Sequence, residues 1–182
     1  MSGHISQPSD YLALSSFKLF ENEIKLWTQS VRKLTDKPLS LGETAVSWGG
    51  GMNRLSNINE ASISGQKNIT DRFLGSFLWA DKLGLAATHG IRTVMRESFI
   101  SSQYALVGPD LIPNPDYWIS LSFKHFFFDN VTLVKTLNLT PLLRVYAAKN
   151  SQNNELSYLV INIDIEVHKF RIDQEPYVFD SR

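Results

Sequence analysis

The sequence predicts an α/β fold that passes into a run of strands at its carboxyl end. Apolar residues recur at helical spacing in three segments, near 8–34, 71–84 and 114–128, and short apolar runs of strand length follow the first two. Beyond about residue 129 the period falls to two, which marks strands. The composition is that of ordinary globular protein, with 43% hydrophobic and 20% charged residues among 182. Its 18 basic and 18 acidic residues cancel, so no global field steers the chain toward a polyanion and any anion-binding patch must be local.

In order, Pro8-Ser9-Asp10 opens a helix whose Phe17, Phe20, Ile24, Trp27, Val31 and Leu34 form a stripe that must lie on a core. Lys18, Lys25, Arg32 and Lys33 occupy other faces, and Glu21 with Lys25 makes a favourable i, i+4 pair. The interspersed acids mark a plain outer helix rather than a nucleic-acid or membrane surface. Asp36-Lys37-Pro38 turns the chain into a short apolar run, Pro38 to Leu41, that ends in the carboxylate of Glu43. Gly49-Gly50-Gly51 follows six residues later. An acid at the end of a buried strand, before a loop whose glycines let backbone N–H groups approach a ligand, fits a catalytic rim. A solvated loop acid fits the same spacing, and the residues alone leave both readings open.

The stretch 52–66, rich in Asn, Ser and Gly, reads as a loop at that rim. Asp71 starts a second helix, with Phe73, Leu74, Phe77 and Leu78 on one face and Gly84 as its stop. Asp81 falls near the apolar face, where a hydrogen-bonded structural role is expected of a carboxylate. After His89-Gly90, residues 91–96 form a strand whose rim carries Arg96, Glu97 and Tyr104. Asn114-Pro115-Asp116 has the cap, first-turn proline and acid of a helix start, launching Tyr117 to Phe128. His125 on that helix has no partner at ligand spacing, so no metal site is expected there. Strands follow at 131–137, 142–148 and 156–167, and in the last Ile161, Ile163, Ile165 and Val167 alternate with polar residues, as in a sheet with one wet face.

The absence of cysteine excludes disulfides and thiolate metal sites. Residues 1–8 lack the apolar core of a signal peptide, and no run reaches transmembrane length. Three sequons, at Asn68, Asn130 and Asn138, are glycosylation candidates and favour a secretory route.

Leu41-Gly42-Glu43-Thr44, Trp48-Gly49-Gly50-Gly51, Trp79-Ala80-Asp81-Lys82-Leu83-Gly84-Leu85, Val94-Met95-Arg96 and Pro115-Asp116-Tyr117-Trp118 together resemble the heparanase-like β-glucuronidases, glycoside hydrolase family 79. The likeness runs in order from about Met1 to Ala148. It implies a retaining endo-β-glucuronidase on a TIM (β/α)8 barrel with a β-sandwich at its side, acting on glycosaminoglycans of the heparan sulfate type without metal or organic cofactor. Residues 1–128 would then be the carboxyl-terminal part of the barrel, with its seventh and eighth strands, and 129–182 the beginning of the sandwich. A barrel needs roughly 250 residues, so the remaining strands would lie upstream.

By the same resemblance Glu43 is the nucleophile, and the acid/base belongs to an Asn-Glu-Pro motif that this chain lacks; Gln174-Glu175-Pro176 lies in the wrong place. Tyr104 matches the tyrosine that binds the uronic-acid carboxylate, and Gly49 and Gly50 match glycines whose amides hold it. Arg96 and Glu97 join the substrate-binding rim. Glu97 stands where the vertebrate enzymes are expected to have Gln, and a carboxylate beside a uronate is unfavourable unless Arg96 pairs with it. The resemblance implies a secreted, extracellular-matrix or lysosomal setting for the full-length protein. The alternatives are a non-catalytic heparan-sulfate-binding paralogue, although silent relatives are expected to lose the nucleophile, and a structural fragment completed by a separately encoded partner.

Overall fold

The structure, a computed structural model, describes residues 8–46, 70–100, 105–127, 131–133 and 140–169. Pro8–Leu12 form a single 3-10 turn, and helix α1 (Leu14–Arg32) begins only after extended Ala13. The helix expected to start at Pro8 is therefore broken, because Ala13 takes an extended conformation and has no side-chain oxygen to cap the next turn. Only part of the expected stripe is covered. Phe17 and Ile24 are fully buried, whereas Trp27 is half-exposed and Leu34, past the helix end, is 86% exposed.

Strand β1 (Leu39–Thr44) and strand β2 (Ile91–Arg96) pair in parallel, and helix α2 (Phe73–Thr88) lies between them in sequence, as a βαβ crossover requires. The expected strand 91–96 is found with those bounds. Helix α2 is the hub: it touches α1, β2, the 3-10 turn, helix α3 (Pro115–Phe126) and the second sheet. Ser76, Leu78, Trp79, Ala80, Asp81, Leu83 and Leu85 are all buried, so it is enclosed nearly all round. Its stop is not Gly84, which sits inside the helix, but Gly90, whose φ of 71° only glycine adopts without strain. Phe73, expected on the core face, is exposed at the first turn.

The second sheet is antiparallel, in the order β3 (Val131–Leu133), β4 (Leu143–Lys149), β5 (Leu156–Asn162). Strand β4 is buried along almost its whole length between its two neighbours, with Tyr146 packed on α2. The expected strand to 167 stops at Asn162, and Ile165 and Val167 are almost fully exposed. Local side-chain chemistry ends it. The Asp164 amide donates to Asn162 Oδ1 at 3.0 Å, Asn162 Nδ2 donates to the Glu166 carbonyl at 3.1 Å, and His168 Nε2 meets Asp164 Oδ2 at 2.8 Å. Short polar side chains thus offer the backbone a turn in place of a ladder. The result is a mixed helix and strand fold with two small sheets; the parallel pair among the described residues does not by itself close a barrel.

Candidate active site

The two parallel strands bring their carboxyl ends together. The Glu97 amide donates to the Thr44 carbonyl at 2.9 Å, extending the ladder one step past β2. Between Leu41 and Thr44 the register slips: Leu41 faces Val94 but Thr44 faces Arg96, so β1 carries one extra residue, a bulge. This slip decides where Glu43 points. By strict alternation Glu43 would share the face of Leu39 and Leu41, which pack on the core. The extra residue puts Thr44 on that inner side instead and leaves Gly42 and Glu43 exposed. A carboxylate turned to solvent at the carboxyl edge of parallel strands is placed to meet a ligand there.

Arg96 takes a different direction from the one expected. Its guanidinium stacks over the Trp79 ring at 4.4 Å and forms a salt bridge with Asp116 at the start of α3. Both partners are nearly fully buried, and burial pushes the Asp116 carboxyl upward while Arg96 pulls it down. Trp79 is fixed in turn, since its Nε1 donates to Ser120 Oγ at 2.8 Å, and Ser120 Oγ donates to the Asp116 carbonyl at 2.7 Å. Arg96 thus holds α2, α3 and β2 together from within. Asp116, expected as an acid favoured by the helix dipole, is also its counter-ion, and Asn114 Nδ2 donates to the Ala105 carbonyl at 2.7 Å rather than capping α3.

A residue that sequence spacing did not single out stands beneath the strand end. Lys82 rises from α2 so that its ammonium donates to the Ala45 carbonyl at 2.5 Å and to Thr44 Oγ1 at 3.3 Å, 4.8 Å from the centre of the Phe20 ring. Desolvation, aided by the nearby charge of Arg96, lowers its pKa to about 8. The signal available in the sequence was a cation inside a mostly apolar helix.

At the preceding residue of α2, Asp81 has the structural role expected of it. Its carboxylate accepts from Arg144 Nε and from the Tyr146 hydroxyl, both on β4, and Arg144 Nη1 reaches Glu21 of α1 at 3.0 Å. Burial pushes the Asp81 carboxyl up to about 6, against the opposing pull of Arg144 and Tyr146. This cluster ties the second sheet to α2 and α1. Tyr146 lies flat on the helix because Gly84 has no side chain; a Cβ there would stand 2.7 Å from three ring carbons.

The structure thus brings the backbones of Glu43, Arg96 and Glu97 to adjoining strand ends, with the Arg96 side chain turned inward. Gly49, Gly50, Tyr104 and the sequon residues Asn68, Asn130 and Asn138 lie outside the described residues. Among the described residues no group of three His, Asp or Glu could hold a metal ion, and no helix is long and apolar enough to cross a membrane. His125 is exposed beside Phe126.

Comparison with known proteins finds relatives named as glycosidases. The chain is 31% identical over 187 residues to a protein named hyaluronoglucuronidase from Hirudo nipponia, covering 94% of this chain and 35% of that protein. It is 31% identical over 172 residues to heparanase from Mus musculus, covering 90% and 30%. A protein named inactive heparanase-2 from Homo sapiens is 29% identical over 135 residues, covering 65% and 23%. No protein-family profile matches the chain. The chain is a heparanase-like sequence, a homologue of glycoside hydrolases over most of its own length, and it spans about a third of the length of the first two.

Proposed function

We propose that this chain is the carboxyl-terminal portion of a retaining β-glucuronidase acting on glycosaminoglycans of the heparan sulfate type, with Glu43 as nucleophile. The observation that carries the reading is the bulge that turns Glu43 out of the core at the joined ends of β1 and β2. In a double displacement Glu43 attacks the anomeric carbon and the leaving oxygen takes a proton from an acid/base about 5–5.5 Å away. The same group then removes a proton from water, which releases the sugar with retained configuration. That second carboxyl group is supplied by chain upstream of this one, together with the remaining barrel strands; residues 129–182 begin the β-sandwich. Gly49, Gly50 and Tyr104 are assigned to the substrate's carboxylate. Because Arg96 is engaged by Asp116 and Trp79, it acts on substrate through the shape of the rim, and Glu97 disfavours a uronate close to it. A secretory or lysosomal setting belongs to the same reading.

A mechanism-based inhibitor of glucuronic acid configuration tests it. The full-length protein carrying this chain should gain one sugar-sized adduct on the peptide containing Glu43, and Glu43→Gln should abolish labelling without changing the fold. An adduct on Glu97, or an active Glu43→Gln variant, would refute the assignment. The similarity to inactive heparanase-2 keeps one other reading, a heparan-sulfate-binding protein without activity. That reading predicts no labelling of the wild type and undiminished heparan sulfate binding by Glu43→Gln.

A further inference from the structure

We propose that Lys82 is the positioning residue for the Glu43 carboxylate, holding the Thr44 hydroxyl and the Ala45 carbonyl, one and two residues past it, from the helix beneath. The inference rests on the reading of Glu43 as nucleophile. The bulge leaves Gly42 and Glu43 without in-register partners on β2, so their placement depends on what fixes the chain just beyond. Three contacts do so: the Glu97 amide to the Thr44 carbonyl, and the Lys82 ammonium to Thr44 Oγ1 and to the Ala45 carbonyl. Thr44 Oγ1 meets the helix lysine while Glu43 is exposed, so a pull on Thr44 from the helix sets the angle at which Glu43 stands. A misplacement of about 1 Å at the reacting centre is enough to cost a hundredfold in rate.

The surroundings of Lys82 support a positional role. Its ammonium meets the Phe20 ring from α1, feels Glu23 of α1 only at a distance, and is opposed by Arg96 of β2. Among the described residues no carboxylate forms a salt bridge with it, and desolvation disfavours its charge. Methionine would fill the same space without that cost. What the lysine adds is the pair of hydrogen bonds to the strand end.

The test compares Lys82→Met, Lys82→Arg and Thr44→Val in the full-length protein, reading kcat and KM on a glucuronide and kinact and KI with the same mechanism-based inhibitor. Lys82→Met should lower kcat and kinact about tenfold or more while KM and KI stay within about twofold, because ground-state binding is untouched. The adduct should remain on the Glu43 peptide. Lys82→Arg should recover most of the loss by restoring charged donors. If Lys82→Met does not fold, Thr44→Val decides, with an expected fall in kinact of about threefold and an unchanged value against the proposal. Wild-type kinact in folded Lys82→Met, or equal changes in kcat and KM that Lys82→Arg does not rescue, would overturn it with Glu43 still the nucleophile. An adduct on another residue of the wild type would remove both readings at once.

Discussion

Replacing Gly84 by Ala pits two local effects against each other, and the structure decides the sign. In an exposed helix the change stabilises by about 1 kcal/mol, since alanine has the better helix propensity. Here the new Cβ would fall 2.7 Å from three carbons of the Tyr146 ring. The ring cannot swing aside. Tyr146 is fully buried, its hydroxyl is held by Asp81 and by Arg144 Nη2, and its strand is pinned between β3 and β5. Overpacking of a rigid neighbour costs about 1–3 kcal/mol, and the displaced ring also weakens its hydrogen bond to a buried carboxylate, worth roughly 1.5–3 kcal/mol. Together these exceed the propensity gain, for a net loss of about 2 kcal/mol. Thermal denaturation of the full-length protein at one scan rate should show a lower midpoint, by a few degrees, for the transition that includes α2. In a Tyr146→Leu background, where no ring opposes the Cβ, the same substitution should become neutral or stabilising. A rise in the midpoint for Gly84→Ala alone would mean that the second sheet does not lie on α2 as described.

Arg144→Met should destabilise by about 3–5 kcal/mol, because it leaves the Asp81 charge buried without its partner, and Arg144→Met with Asp81→Asn should recover most of that loss. Lys82 predicts a pH dependence. Its pKa of about 8 in the folded protein lies below the ordinary 10.5, so between those values the unfolded chain binds the proton that the folded one has released. Stability then rises with pH. The stability of wild type relative to Lys82→Met should climb by up to about 3 kcal/mol from pH 8 to 10.5, at 1.36 kcal/mol per unit; a flat difference would show that the ammonium is well solvated.

Period and punctuation were legible in the sequence. Residues 91–96 and the start of α3 at Pro115 fell where the pattern put them, because apolar runs bounded by glycine or proline leave little choice. Among the expectations that failed, three did so for reasons that one-dimensional spacing hides. Gly84 read as a stop because glycine ends helices, yet its role depends on a ring 62 residues later in the chain. The strand to 167 read as alternation, but Asn162 and Asp164 had local hydrogen bonds to offer. Arg96 sat at a rim position by register, and its side chain turned inward to a buried acid and an indole. The Asp81 expectation held because a buried carboxylate leaves few outcomes other than a partnered one.

The segment from Trp79 to Leu85 gathers these outcomes into one physical account. Successive residues on an α-helix point about 100° apart, so a short stretch of a helix enclosed on all sides must serve several neighbours at once. Trp79 supports Arg96 and, through Ser120, α3. Asp81 and Gly84, nearly one turn apart, form the charged and the flat halves of a seat for β4. Lys82 reaches the end of β1. Each contact constrains the angle of the same rigid rod. A change that tilts α2 to relieve a clash at Gly84 must therefore also move the ammonium of Lys82 relative to Ala45. It follows that Gly84→Ala, although it touches nothing at the strand end, should reduce labelling at Glu43 as well as stability, and that Tyr146→Leu should restore both together; restoration of stability without labelling would show that the two ends of the helix act independently.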